Sequence, residues 1–199
     1  NGGNGMQTAG ICGFMAKDEG NLIQFCVNYG HISCPTGRTG GLVATLMNGN
    51  VKNSDNRGTV EDDIVGKFEG AAAQNSYNSK RMGGLIGGTD DLKKVLTATV
   101  ESCTNYGNVF THIGCRTGGF IGHSNIRIIG CANQGAILGD VYNSDHGPAW
   151  ACGYSGQSSG EWVNVSSCTM GGYVGSYTTY KDNPTLSLIH ISEPTRLDV

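Results

Sequence analysis

A ten-residue block with the pattern [I/V]-x-x-[C/S]-x-[N/M]-x-G-x-[V/I] occurs five times in this chain of 199 residues and restricts how it can fold. The fourth position is a cysteine or a serine: Cys26, Ser54, Cys103, Cys131 and Cys168. The sixth position is an asparagine in every copy but the last: Asn28, Asn56, Asn105, Asn133 and Met170. The eighth position is always glycine: Gly30, Gly58, Gly107, Gly135 and Gly172. Self-similarity at fixed offsets indicates a repeat protein, in which each unit packs on the next.

A shorter glycine motif, G-[aliphatic or aromatic]-x-[G/A], precedes each block. Its five copies begin at Gly10, Gly41, Gly84, Gly119 and Gly153. One repeat unit is therefore the glycine motif, a variable spacer, the ten-residue block and a second variable spacer. Aliphatic β-branched residues and Thr dominate the blocks, which favours strands, and no segment has the apolar i, i+3, i+4, i+7 spacing of an amphipathic helix.

The spacing within the block predicts an all-β coil. From the cysteine onward the repeated residues lie at offsets 0, 2, 4 and 6, and side chains at even spacing point to the same side of a strand. We expect stacked asparagines to pass hydrogen bonds to one another, with glycine at a crowded corner. The aliphatic residue three positions before the cysteine is out of phase, so a bend is expected between them. The predicted fold is a right-handed parallel β-helix, or β-solenoid, of five glycine-rich repeats, with about three short strands per coil and coils about 4.8 Å apart.

Domain boundaries follow from the repeats. We expect 1–8 to be a partial preceding repeat or linker and 9–175 to be the solenoid, with units at about 9–32, 40–60, 83–109, 118–137 and 152–174. Longer spacers, at about 61–81 and 138–151, should form loops outside the coil. A spacer is expected at 176–185. Segment 186–199 lacks the repeat and resembles a translated sequencing adapter, so we predict a non-native tail on an internal fragment of a longer gene.

The glycine motifs GGLIG at 83–87 and GGFIG at 118–122 alternate with CTNYGNV at 103–109 and CANQGAI at 131–137. In this arrangement the chain resembles the GLUG-type repeats of bacterial surface and secreted proteins, over roughly 9–174. The resemblance implies an extracellular or cell-surface module. It also extends to non-catalytic regions of IgA-cleaving peptidases, and it supplies no catalytic residue and no cofactor.

Four of the eight cysteines share one repeat position and should stack in a column. Cys103 and Cys131 would then be close enough for a disulfide, although we favour a column of reduced, buried thiols. The sequence H-x-x-C occurs at His31 and His112. The two copies should lie about 10 Å or more apart along the stack, so no metal site is predicted.

Acidic residues offer an enzymatic alternative. Carboxylates occur in pairs at Asp62–Asp63 and Asp90–Asp91, and singly at Asp140 and Asp145. Polysaccharide lyases and hydrolases need clustered acids, but these pairs lie in different spacers, and solvated loop charge is the favoured interpretation.

Aromatic residues are the stronger lead for binding. Tyr29 and Tyr106 follow the repeated asparagine at an outward-facing offset, and Tyr142, Trp150 and Trp162 flank the second insertion. Flat rings on a ridged surface can stack on sugar rings or contact a protein partner, or they can merely cover the bases of loops.

The sequence thus predicts a non-catalytic adhesive or spacer module whose loops face glycan or protein partners of a host. A polysaccharide-acting β-helix lyase or hydrolase, or an accessory region of a large secreted peptidase, is the alternative. With a formal charge of −3 and scattered Lys and Arg, no nucleic-acid partner is expected. No apolar run approaches bilayer length, so no membrane insertion of this segment is expected either.

Overall fold

A computed structural model describes residues 7–15, 20–34, 37–61, 81–89, 98–111, 116–124, 126–140, 150–152, 155–158, 165–172, 174–180 and 183–187. Every regular element in these ranges is a β-strand. No helix within them has the length and apolarity needed to cross a membrane.

The strands form five successive coils of five strands each. The first coil contains β1 (Gln7–Ala9), β2 (Cys12–Met15), β3 (Leu22–Gln24), β4 (Val27–Asn28) and β5 (Ile32–Ser33). The second contains β6 (Arg38–Gly40), β7 (Val43–Leu46), β8 (Asn50–Lys52), β9 (Asp55–Asn56) and β10 (Val60–Glu61). The third contains β11 (Arg81–Gly83), β12 (Ile86–Gly88), β13 (Thr99–Glu101), β14 (Thr104–Asn105) and β15 (Val109–Thr111).

The fourth coil contains β16 (Arg116–Gly118), β17 (Ile121–Ser124), β18 (Arg127–Ile129), β19 (Ala132–Asn133) and β20 (Ile137–Asp140). The fifth contains β21 (Trp150–Cys152), β22 (Ser155–Ser158), β23 (Val165–Ser166), β24 (Thr169–Met170) and β25 (Val174–Tyr180). A last strand, β26 (Asn183–Ser187), pairs antiparallel with β25. Strands therefore lie within the segment expected to be a spacer, and β26 includes the first two residues of the expected tail.

Equivalent strands of successive coils pair in parallel and build five sheets. We call them sheet A (β1, β6, β11, β16, β21), sheet B (β2, β7, β12, β17, β22), sheet C (β3, β8, β13, β18, β23), sheet D (β4, β9, β14, β19, β24) and sheet E (β5, β10, β15, β20, β25, with β26 added at its edge). Like residues lie in register: Ile23 pairs with Val51, and Asn28 with Asn56. The predicted parallel β-solenoid is confirmed.

The expectation of about three strands per coil is wrong. Each coil has five strands, because the chain changes direction within the ten-residue block and within the glycine motif. The block bends at the residue two positions after its first aliphatic residue, which has a positive φ of 45° to 61° in all five copies: Phe25, Asn53, Ser102, Gly130 and Ser167. It turns again at the asparagine and so divides into the strands of sheets C, D and E. The glycine motif lies at the corner between sheets A and B, as at Gly41 and Leu42. The bend expected before the cysteine is thereby confirmed.

Within the described ranges the interior contains two hydrophobic clusters with the asparagine column between them. The larger cluster packs the glycine-motif residues Leu42, Leu85 and Phe120 against the aliphatic column of sheet C. The smaller one joins the aliphatic column of sheet E to Met82 of sheet A. Between the clusters the coil is narrow, since a Cβ added at Gly41 would lie 2.3 Å from Cγ of Asn56 in the same coil.

Candidate functional site

The asparagine column is a continuous hydrogen-bonded ladder. Nδ2 of Asn28, Asn56 and Asn105 donates to Oδ1 of the asparagine in the next coil at 2.7–2.8 Å, and the series ends at Asn133. Each Nδ2 also donates to the carbonyl of the block glycine two residues later, at 2.8–3.0 Å. The asparagines therefore pass hydrogen bonds from coil to coil, as the sequence predicts, and they also satisfy backbone carbonyls where the chain turns between sheets D and E. In the fifth coil Met170 stands in register with Asn133.

At the glycine position of the block there is no space for a Cβ atom between neighbouring coils. A Cβ on Gly58 would lie 1.9 Å from the carbonyl oxygen of Gly30, and the same distance separates a Cβ on Gly107 from Gly58 O. A Cβ on Gly135 would meet Gly107 O at 1.9 Å as well. No side chain fits at such a distance, so glycine is required for one coil to lie on the next.

The side chains of the cysteine and serine column form hydrogen bonds across the bend at the positive-φ residue that precedes each of them. Each side chain donates to the carbonyl two residues earlier, at 2.7–3.5 Å; the donors are Cys26, Ser54, Cys103, Cys131 and Cys168. Members of this column in neighbouring coils lie against each other. Cys26 N donates to Ser54 Oγ at 3.1 Å, and Cys131 N donates to Cys168 Sγ at 3.3 Å. These residues therefore have structural contacts that explain their repetition.

The thiols of this column are free in the structure. A hydrogen bond between Cys103 and Cys131 lowers the pKa of Cys103. The same hydrogen bond, together with burial, raises the pKa of Cys131. Burial also raises the pKa of Cys168. Raised pKa values reduce the thiolate that oxidation and metal binding need.

Outside the coil, one tyrosine–arginine–tyrosine stack runs along the edge of sheet D, and we call it the aromatic ridge (Tyr29, Arg57 and Tyr106). Each member directly follows a ladder asparagine and so points outward. The guanidinium carbon of Arg57 lies 5.8 Å from the ring centroid of Tyr29 and 4.8 Å from that of Tyr106. These distances allow cation–π contacts. The two tyrosines are 72% and 42% exposed.

The other sequence-predicted binding and acidic residues are largely outside the described ranges. Tyr142, Trp162, Asp62–Asp63, Asp90–Asp91 and Asp145 all lie there, as does His112. Trp150 begins β21 and Asp140 ends β20. The structure thus brings Tyr29 and Tyr106 together on one ridge, and the remaining candidates stay predictions.

Sequence reasoning missed an arginine column on sheet A. Arg38, Arg81 and Arg116 are in register in three successive coils. The available signal was the repeated Arg-x-Gly-Gly sequence before three of the glycine motifs. Arg81 is only 9% exposed, and Nη1 of Arg38 donates to Thr45 Oγ1 at 3.5 Å.

Facing this column is His123 of sheet B, in register with Gly88 and Thr45. His123 is 2% exposed, and neither ring nitrogen has a hydrogen-bond partner among the residues that the structure describes. Burial, followed by the positive charges of Arg81, Arg116 and Arg38, lowers the pKa of His123 to about 3. A neutral imidazole therefore lies inside a positively charged cluster.

Among the described residues no group of three or more His, Cys, Asp or Glu side chains could hold a metal ion. His31 instead pairs with Glu61, Nε2 to Oε1, at 3.0 Å on the outer surface.

Comparison with protein-family models, with curated proteins and with solved structures gives no match. The GLUG-type resemblance stays a prediction from the sequence.

Proposed function

We propose that this chain is a non-catalytic module of a bacterial surface or secreted protein, with an adhesive role toward glycan or protein partners. The observation that supports the proposal is the aromatic ridge, in which Arg57 lies between two exposed tyrosine rings. Such a stack presents flat apolar faces and a cation together, and both groups contact sugar rings and polar partner side chains.

The backbone that carries the ridge is held in place by the asparagine ladder. Its members are attached to ladder asparagines that are hydrogen-bonded from coil to coil. A rigid aromatic surface loses little conformational entropy on binding, which favours affinity from a small contact area. Arg57 is further positioned by Asp55, whose Oδ2 lies 3.7 Å from Nη2.

A glycan array and a mucin-binding assay test the proposal with the double variant Tyr29→Ala/Tyr106→Ala. We expect about tenfold weaker binding, since each stacked ring contributes on the order of 0.5–1.5 kcal/mol. Leu22→Ala is the matched control, because Leu22 is 55% exposed on sheet C, away from the ridge. Equal binding by the two variants would contradict the ridge as the binding site. If the unmodified protein bound no glycan and no mucin, only the spacer role would remain.

A further inference from the structure

The first coil leaves one face of the solenoid uncovered within the described ranges, and we call this surface the open face (the outer side of β1 to β5). Each of these strands is the last strand of its sheet. Ile11 of the glycine motif is 41% exposed here, whereas the equivalent Leu42, Leu85 and Phe120 are 0–1% exposed. A residue type that is interior in later coils is therefore exposed at the open face.

The backbone of β4 can pair with one more parallel strand. In the second coil the amides of Asp55 and Arg57 donate to the carbonyls of Cys26 and Asn28, at 2.9 and 2.7 Å. The equivalent amides of the first coil belong to Val27 and Tyr29, and the same repeat geometry directs them to the open face. An edge strand of this kind is a template for another strand.

The asparagine ladder ends at the open face with an acceptor. Asn56, Asn105 and Asn133 each accept, at Oδ1, a hydrogen bond from the asparagine of the preceding coil. Oδ1 of Asn28 accepts from Gly30 N at 3.1 Å, and an amide oxygen has two lone pairs. The second lone pair fits the Nδ2 group of an asparagine in a further coil.

Gly30 indicates the same occupant. A Cβ on Gly58 would lie 1.9 Å from Gly30 O, but the nearest atom to a Cβ on Gly30 is Oδ1 of Asn28, at 3.4 Å. The φ of Gly30 is not positive either. Neither space nor backbone conformation among the described residues therefore requires glycine at this position. A coil stacked on the open face would require it, since its own block carbonyl would meet Gly30 as Gly30 O meets Gly58.

The last coil of a second copy of this chain does not match the open face. Met170 stands at its ladder position and has no amide group to donate to Asn28. In addition, β26 already pairs with the outer edge of β25. We infer that the open face is a docking surface for a β-solenoid coil that carries an Asn-x-Gly block, stacks in parallel register and continues the ladder through Asn28.

A fusion protein supplies such a coil. Residues 81–115 are joined directly before Gln7, in place of 1–6. In the chain itself this segment runs into Arg116, which occupies the register position of Gln7 in sheet A. Hydrogen exchange of the peptide that contains β4 should be about tenfold slower in the fusion than in the unaltered protein. Unchanged exchange, including the case in which the added coil stays unfolded, would overturn the proposal.

Variants of the added coil test the ladder contact. Asn105→Ala in the added copy removes the amide that would donate to Asn28, so most of the additional protection of β4 should be lost. Asn108→Ala in the added copy is the matched control, because Asn108 makes its hydrogen bond in an exposed setting, and it should keep the protection. Equal protection of β4 in the two variants would contradict continuation of the ladder.

Gly30→Ala has an expected effect that depends on the added coil. In the unaltered protein the new Cβ has room, so the Tm should shift by less than about 4 °C. In the fusion the same Cβ would meet the Gly107 carbonyl of the added coil. The variant should therefore return the exchange of β4 to that of the unaltered protein. Protection of β4 that persists in this variant would show that the added coil does not stack as the other coils do.

Sedimentation velocity tests a second copy as the occupant. We expect the unaltered protein and its Gly30→Ala variant to sediment alike as monomers. A dimer that Gly30→Ala dissociates would assign the open face to another copy of this chain and overturn the choice of occupant. The side chains of Tyr29 and Tyr106 make none of the contacts proposed here, so this inference and the adhesive role can fail independently.

Discussion

Asn105 holds three coils together through one amide. It accepts a hydrogen bond from Asn56, donates to Asn133 and donates to the carbonyl of Gly107, and it is fully buried. Asn105→Ala would leave Nδ2 of Asn56, Oδ1 of Asn133 and the carbonyl of Gly107 each without one hydrogen bond in the interior. We expect urea unfolding to show a loss of about 2–4 kcal/mol in the free energy of unfolding.

Asn108 in the same coil is the matched control for this variant. Its Oδ1 accepts from Ala136 N at 3.0 Å in an exposed setting. Water can replace that hydrogen bond, so Asn108→Ala should cost less than about 1 kcal/mol. Equal losses in the two variants would refute a stabilising role for the ladder.

Because the pKa of His123 is lowered in the folded protein, we expect the free energy of unfolding to depend on pH. Its pKa is lowered to about 3 in the folded protein from an ordinary value of 6.5. Between these values the unfolded chain binds a proton that the folded chain does not, so stability falls as the pH falls from 6.5 toward 3. The slope from this residue should be roughly 1 kcal/mol per pH unit.

Denaturant unfolding at a series of pH values measures this slope. His123→Gln should flatten the decline, because glutamine does not titrate. His31→Gln, at an exposed histidine, should leave most of the decline in place. A profile that is unchanged in His123→Gln would show that other groups control the acid sensitivity.

Within an element, the glycine of each block determines whether neighbouring coils can lie close together. Gly107→Ala places a Cβ 1.9 Å from Gly58 O, and a backbone atom cannot move aside as a flexible side chain could. We expect a loss of more than about 3 kcal/mol or failure to fold, as measured by circular dichroism and thermal unfolding.

Gly171 offers a control of the same chemistry. The nearest atom to a Cβ at Gly171 is Cγ of Gln134, at 3.8 Å, which is ordinary van der Waals contact. Gly171→Ala should therefore change the free energy of unfolding by less than about 1 kcal/mol. A comparable loss in both variants would mean that the coils do not approach as closely as the structure has them.

Across the whole molecule, the first coil differs from the second, third and fourth because its strands have a neighbour on one side only. Most of the exposed large apolar side chains of the described residues belong to this coil: Ile11, Phe14, Leu22, Phe25, Val27 and Tyr29. In a linear repeat protein stability comes largely from interfaces between neighbouring units. The first coil therefore has less stabilising contact than the second, third and fourth.

Hydrogen exchange followed by mass spectrometry should reveal this gradient. Amides of β3 and β4 should exchange faster than those of β8, β9, β13 and β14, because local opening is easier where one neighbour is missing. Peptides from β18 and β19 are an internal reference from another coil with neighbours on both sides. Uniform protection along the stack would indicate that the coils open as a single cooperative unit.

The contacts between coils could be predicted from the sequence, and those within a coil could not. Residues that recur at a fixed offset must stack if the units stack, so the asparagine ladder and the bend before Cys103 follow from the block alone. The distance from the glycine motif to the block varies among repeats, so it does not indicate which residues meet across the coil. The contact between Gly41 and Asn56 and the placement of His123 against Arg81 were therefore set only by tertiary structure, where the corners of the coil bring the two motifs together.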